Sequence, residues 1–172
     1  MNNKIILIGP MGAGKTSLGK RLAAQLKWSF FDTDHVLCKQ TGVDIPTIFA
    51  TEGESRFRER EHEALSSVLC EPATAVVSCG GGIVLLPENR RLISAQKLVI
   101  FLDLSIDEQI KRVEKDKNRP LVQGGHVRQK LEKLREERLA LYEGLADIRL
   151  DTGNTRFSRL LQDLIQQIKP YL

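Results

Sequence analysis

One octapeptide constrains this chain more than any other feature of it: Gly9-Pro-Met-Gly-Ala-Gly14-Lys15-Thr16, which fits G-x-x-x-x-G-K-[ST]. It follows the continuous apolar run Lys4–Ile8, which has the composition of a buried strand. It precedes residues 15–26, where Leu18, Leu22 and Leu26 recur four apart and mark one helix face. Strand, glycine turn and helix in that order make a phosphate cradle. The glycines let successive backbone N–H groups point at phosphate oxygens, at the positive end of a helix dipole. Lys15 can reach the β/γ-phosphates and the Thr16 hydroxyl can ligate Mg²⁺. A chain that opens this way is expected to bind a nucleotide at the C-terminal edge of its sheet.

The rest of the pattern agrees. Trp28–Phe31, Ala75–Cys79, Lys97–Leu102 and Ile148–Leu150 read as further strands. Between them, Gly53–Leu69 reads as a charged helix with Phe57, Ala64, Leu65, Val68 and Leu69 on its inner stripe. Pro87 opens another helix and Ser105 caps the next, while Val127–Ala146 and Phe157–Ile168 complete the set. Alternating strands and helices with buried-type strands imply an α/β fold, a parallel sheet covered on both faces. No linker or repeat divides the 172 residues, a length that suits one domain, 1–172.

Composition removes whole classes of function. With 41% hydrophobic and 28% charged residues the chain reads as soluble and globular. Ile5–Ile8 is far too short for a signal-peptide core or a membrane span, which argues against a secreted or membrane protein. Three cysteines (Cys38, Cys70, Cys79) without a C-x-x-C spacing indicate neither a disulfide framework nor a zinc site, and fit free thiols in a reducing cytoplasm. Residues 111–138 hold ten Lys/Arg against five Asp/Glu, more than the whole net charge of +4. No aromatic residue interleaves with that stretch to stack on bases, so a small phosphorylated ligand is favoured over nucleic acid.

A P-loop alone does not separate a kinase from a switch or an ATP-driven binding module. Asp32-Thr33-Asp34 ends the second apolar run. If the segment is extended, the two carboxylates point the same way, one to the Mg²⁺ shell and one to an acceptor hydroxyl; alternatively Asp34 merely caps the following helix. Arg58 has Glu54 four before it and Glu61 three after it. Either these hold a guanidinium that grips a carboxylate with paired hydrogen bonds, or the segment is a solvated, charge-laced helix. Phe49 and Phe57 suit core or pocket wall. Gly80–Gly82 after a strand is costly in backbone entropy and points to close approach of a ligand.

The P-loop, Asp32/Asp34, Gly53–Glu61 with Arg58, Gly80-Gly-Gly82, Asn118-Arg119-Pro120-Leu121, and Glu137-Arg138 followed by Leu141-Tyr142 occur in one order and at compatible spacing. Together they resemble the shikimate kinase family over nearly the whole chain. The resemblance implies a three-layer P-loop kinase fold. Its five-stranded parallel sheet would carry a substrate-binding helical segment at about 33–62 and a mobile lid at about 112–126. It implies transfer of the γ-phosphoryl group of ATP to the 3-hydroxyl of shikimate, with Mg²⁺, in a cytoplasmic monomer without nucleic-acid or membrane partners.

By position, Asp34, Arg58, Gly81 and Arg138 would bind shikimate, the arginines taking its carboxylate, with Phe49 and Phe57 as walls. Gly12, Ala13, Gly14, Lys15, Thr16 and Ser17 would hold the phosphates, Thr16 and Asp32 the metal. Lys15, Asp34 and Arg119 would be catalytic, Arg119 also binding ATP by reaching its β/γ-phosphates from the lid, with Arg112 along the adenine and Gly153–Arg156 as the adenine loop. Asp103, which a generic P-loop pattern nominates for the metal, is passed over in favour of Asp32. The chain carries Ala140 where the family often has proline. The competing readings are a gluconate-type kinase, which has no evident use for the Arg58/Arg138 pair, and a catalytically silent shikimate sensor, which should have lost Lys15, Thr16 or Asp34.

Overall fold

A computed structural model describes residues 3–115, 126–153 and 155–172. Five strands, β1 (Lys4–Ile8), β2 (Ser29–Asp32), β3 (Ala75–Ser78), β4 (Leu98–Asp103) and β5 (Ile148–Asp151), form one sheet in the order β2-β3-β1-β4-β5. Every pairing is parallel. The order changes direction at β1, so the turn that leaves β1 stands at the topological switch point where ligands bind in such sheets.

Period-two alternation along β1 assigns the helices to faces. Ile5 and Leu7 pack with α1 (Lys15–Leu26) and α7 (Phe157–Ile168). Ile6 and Ile8 pack on the opposite face with Leu65 and Val68 of α3 (Ile45–Cys70), Ile93 of α4 (Pro87–Ser94) and Tyr142 of α6 (Val127–Leu145). Two smaller apolar clusters lie beyond the sheet. Leu37 of α2 (Thr33–Thr41) joins Ile48, Phe57 and Ala64 of α3. Val113 of α5 (Ile106–Val113) joins Leu131 of α6.

Two expectations need correction. Asp32-Thr33-Asp34 is not extended: β2 stops at Asp32 and α2 starts at Thr33. The residue that caps this helix is Asp32, whose carboxylate accepts from the N–H groups of Asp34 and His35, and not Asp34. The helix expected from Gly53 begins instead at Ile45, capped by Asp44 with Pro46 in its first turn. It is interrupted at Gly53, whose φ of 79° and ψ of 176° suit glycine alone, so the chain bends there and resumes as the helix that carries Arg58. Ser105 caps α5 as expected. α5 ends at Val113 and α6 begins at Val127, and the lid motif between them, Asn118-Arg119-Pro120-Leu121, lies outside the described residues.

Candidate active site

The P-loop leaves β1 and enters α1 through Gly14, the helix N-cap, at φ 88°. Lys15 Nζ donates to the carbonyls of Gly9 (2.8 Å) and Pro10 (2.9 Å), folded back over the loop it serves. The Thr16 hydroxyl donates to Asp32 Oδ2 at 2.6 Å, and Ser78 Oγ lies 3.4 Å away. Asp32 therefore splits its duties, with Oδ1 capping α2 and Oδ2 turned to the P-loop. Asp103 is occupied elsewhere. Its carboxylate takes Arg135 at 2.8 Å and Arg149 at 2.6 Å and accepts the Leu104 N–H. Burial pushes its pKa up, but those hydrogen bonds outweigh burial and hold it below the ordinary carboxylate value.

The P-loop opens into a cleft of about 230 Å³ lined by Gly12, Gly14, Lys15, Thr16 and Ser17, Asp32 and Asp34, and the end of β3 through Gly81. Ala13, which precedes the N-cap, is buried in the core against α1.

Each glycine after β3 faces a different charged group. A Cβ on Gly80 would meet Asp34 Oδ1 at 2.7 Å and Glu61 Oε1 at 3.0 Å; one on Gly81 would come within 3.6 Å of Arg138 Nη1; one on Gly82 would fall 2.1 Å from Arg58 Nη1. Asp34 and Glu61 leave no room for a side chain at Gly80, and Arg58 none at Gly82, while at Gly81 a Cβ would make only an ordinary contact with Arg138. The Gly80 N–H donates to Thr33 Oγ1, and Tyr142 Oη donates to the Gly81 carbonyl at 2.6 Å, its hydroxyl pushed up to about 12 by burial.

Arg58 is buried, so the solvated-helix alternative fails. Its Nη1 donates to Glu61 Oε2 at 2.7 Å and its Nη2 reaches Glu54 Oε1 at 3.4 Å, the two partners that the i−4 and i+3 spacing offers. Glu61 is itself almost wholly buried, and desolvation raises its pKa despite the Arg58 charge. Arg138, on α6, is equally buried. The Nε atoms of both arginines are buried without a hydrogen-bond partner among the described residues. Two buried guanidinium groups with unbonded Nε donors thus stand beside one glycine turn.

Phe57 is buried in the cluster between α2 and α3, with the Phe49 ring 4.5 Å from its own and Arg58 lying over its face. Arg112 clamps the P-loop to the end of β5, with Nη1 on the Gly12 carbonyl (2.9 Å) and Nη2 on the Thr152 carbonyl (2.5 Å). Arg119 lies outside the described residues, as does Asn154 of the expected adenine loop. Sequence reasoning passed over Thr33, the Tyr142 hydroxyl, and Gln109, whose amide donates to the Met11 carbonyl at 3.0 Å. The available signal was a polar atom at a position that the helix period turns inward.

The comparisons with known proteins agree among themselves. The model of the shikimate kinase family matches residues 11–169. A shikimate kinase of Psychrobacter sp. (strain PRwf-1) is 42% identical over 167 residues, covering 97% of this chain and 92% of that protein. One from Francisella tularensis subsp. holarctica (strain FTNF002-00 / FTA) is 42% identical over 168 residues, covering 98% and 93%. The structure of shikimate kinase from Acinetobacter baumannii in complex with shikimate superposes with a TM-score of 0.91 at 37% identity, over 96% of this chain and 92% of that one. The P-loop kinase fold is shared throughout.

Proposed function

The chain belongs to the shikimate kinase family and transfers phosphate from ATP to shikimate, and we propose that the residues converging on the P-loop and the Gly80–Gly82 turn carry out the transfer to the 3-hydroxyl. The observation that carries this reading is the buried pair Arg58 and Arg138, with idle Nε donors, on the same turn as Asp34. A planar carboxylate suits paired guanidinium donors, and a ring carrying it would place its hydroxyls toward Asp34 and the Gly81 backbone.

Phosphates of ATP take the N–H groups of the loop from Gly12 to Ser17. Lys15 then exchanges the Gly9 and Pro10 carbonyls for β/γ oxygens. Thr16 and Asp32 fit Mg²⁺, being hard oxygen donors already in contact across the mouth of the P-loop. Held there, the ion would offset the negative charge of the phosphates. Asp34 orients the attacking hydroxyl or accepts its proton, Phe49 and Phe57 back the Arg58 side of the pocket, and Arg112 borders the adenine. Arg119, by its place in the family pattern, meets the transferring phosphoryl group. No helix among the described residues is long and apolar enough to cross a membrane. The three free thiols suit a reducing cytoplasm.

The test is a coupled ADP-release assay offering shikimate, gluconate and quinate in parallel. Turnover with shikimate alone supports the reading, and preference for gluconate would overturn it.

A further inference from the structure

The Gly80–Gly82 turn is fastened to the helices on its flank by more than the Tyr142 hydroxyl. The Ile83 carbonyl accepts from Asn89 Nδ2 at 3.0 Å. Asn89 sits in the first turn of α4 and is completely buried. Its Oδ1 lies 2.7 Å from Nδ1 of His62 on α3, a half-buried side chain. A buried amide is unfavourable unless both of its ends are bonded, and here both are. Because Nδ2 is committed to a carbonyl, Oδ1 can only accept, so His62 Nδ1 carries the hydrogen.

These contacts close a ring. His62 follows Arg58 by four residues and shares its face of α3. Gly82 packs on the Arg58 guanidinium, Ile83 comes next in the chain, Asn89 holds Ile83, and His62 holds Asn89. The turn cannot shift against Arg58 without stretching the Asn89 bonds. The P-loop takes no part in the ring.

We propose that Asn89, braced by His62, is a positioning residue of the shikimate site: it fixes the glycine turn at the distance from Arg58 that carboxylate binding requires. This rests on the shikimate reading above.

The experiment compares His62→Leu, which removes the donor, with His62→Asn, which returns an amide N–H near the place of Nδ1, and with Asn89→Leu. Steady-state kinetics in both substrates are measured beside calorimetric titrations of shikimate and of a non-hydrolysable ATP analogue. His62→Leu and Asn89→Leu are expected to raise the shikimate KM and Kd about tenfold and to leave the ATP values within about twofold, the size of effect set by one lost buried hydrogen bond. His62→Asn is expected to recover most of the loss. His62 is only half-buried, so its two variants carry the test should Asn89→Leu fail to fold. Equal rises in both KM values, or a lower melting temperature with both unchanged, would overturn the proposal. Wild-type protein that binds the ATP analogue but not shikimate would instead overturn the family reading on which the proposal stands.

Discussion

At Gly82 a single methyl group is enough to separate the two binding sites that share this sheet edge. Its Cβ would stand 2.1 Å from Arg58 Nη1 and 2.6 Å from Cζ, so Gly82→Ala must displace a guanidinium already confined by Phe57 and Glu61. Loss of a desolvated charge contact costs roughly 2–5 kcal/mol, so the shikimate KM should rise by about 30-fold or more while the ATP KM holds. Steady-state kinetics in each substrate check this, and an unchanged shikimate KM would refute it. Asp34→Asn should act on the other axis. Positioned proton transfer contributes ~10²–10⁴-fold, so turnover should fall by that order while titrated ATP analogue binds as before. Asp32→Ala should raise the Mg²⁺ requirement in a metal titration far more than Asp103→Ala does, since Asp103 already serves Arg135 and Arg149. The sequence named Arg58 by its motif, but composition could not distinguish it from Arg56 and Arg60 on either side. Those two pair with Glu59 and Glu52 at the surface. Arg58 differs because Phe57 and Gly82 close over it, a relation between α3 and a turn more than twenty residues later that no local spacing encodes.

Between elements, the strands and the four helices at 15–26, 87–94, 127–145 and 157–168 were legible because buried runs and inward stripes are local signals. The α2/α3 segment was legible only in its second half. The bend at Gly53 and the cap at Asp32 are decisions about where a helix stops and restarts, and Asp-Thr-Asp fits an extended end or a helix start equally well. The ion cluster tying β4, β5 and α6 together also escaped notice, since Asp103, Arg135 and Arg149 lie far apart in the chain. It has a pH signature. The folded-state pKa of Asp103 lies below its unfolded value, so its contribution is present above the unfolded value of about 3.9 and is lost as pH falls through the folded value. Asp103→Asn should therefore lower urea-unfolding stability at pH 6–8, and the gap to wild type should close as pH falls below about 4. A gap independent of pH would assign the loss to packing instead.

Across the whole molecule, the P-loop cleft and the arginine pair meet only at the Gly80–Gly82 turn and draw on different elements, α1 and β1 for the first, α3 and α6 for the second. That separation predicts independent thermal responses. A ligand at a hundred times its Kd stabilises the state it binds by about 2.7 kcal/mol, which for a chain of this size raises Tm by roughly 5–11 °C. Shikimate and a non-hydrolysable ATP analogue should each give a shift of that order in wild-type protein. Arg58→Ala and Arg138→Ala should lose the shikimate shift and keep the nucleotide shift. Arg119→Ala should keep the shikimate shift, because the family pattern puts this residue on the β/γ-phosphates of ATP and not on shikimate, and its turnover should fall by at least about 100-fold, within the range for an arginine that offsets transition-state charge. Lys117→Ala combined with Arg119→Ala controls for charge supplied by the neighbouring lysine. The decisive measurement is differential scanning fluorimetry beside turnover on the wild type and these four variants. If Arg119→Ala and the double variant both turn over normally, the charge on the transferred group is met by Lys15 and the metal alone, and the segment between α5 and α6 has no part in the chemistry.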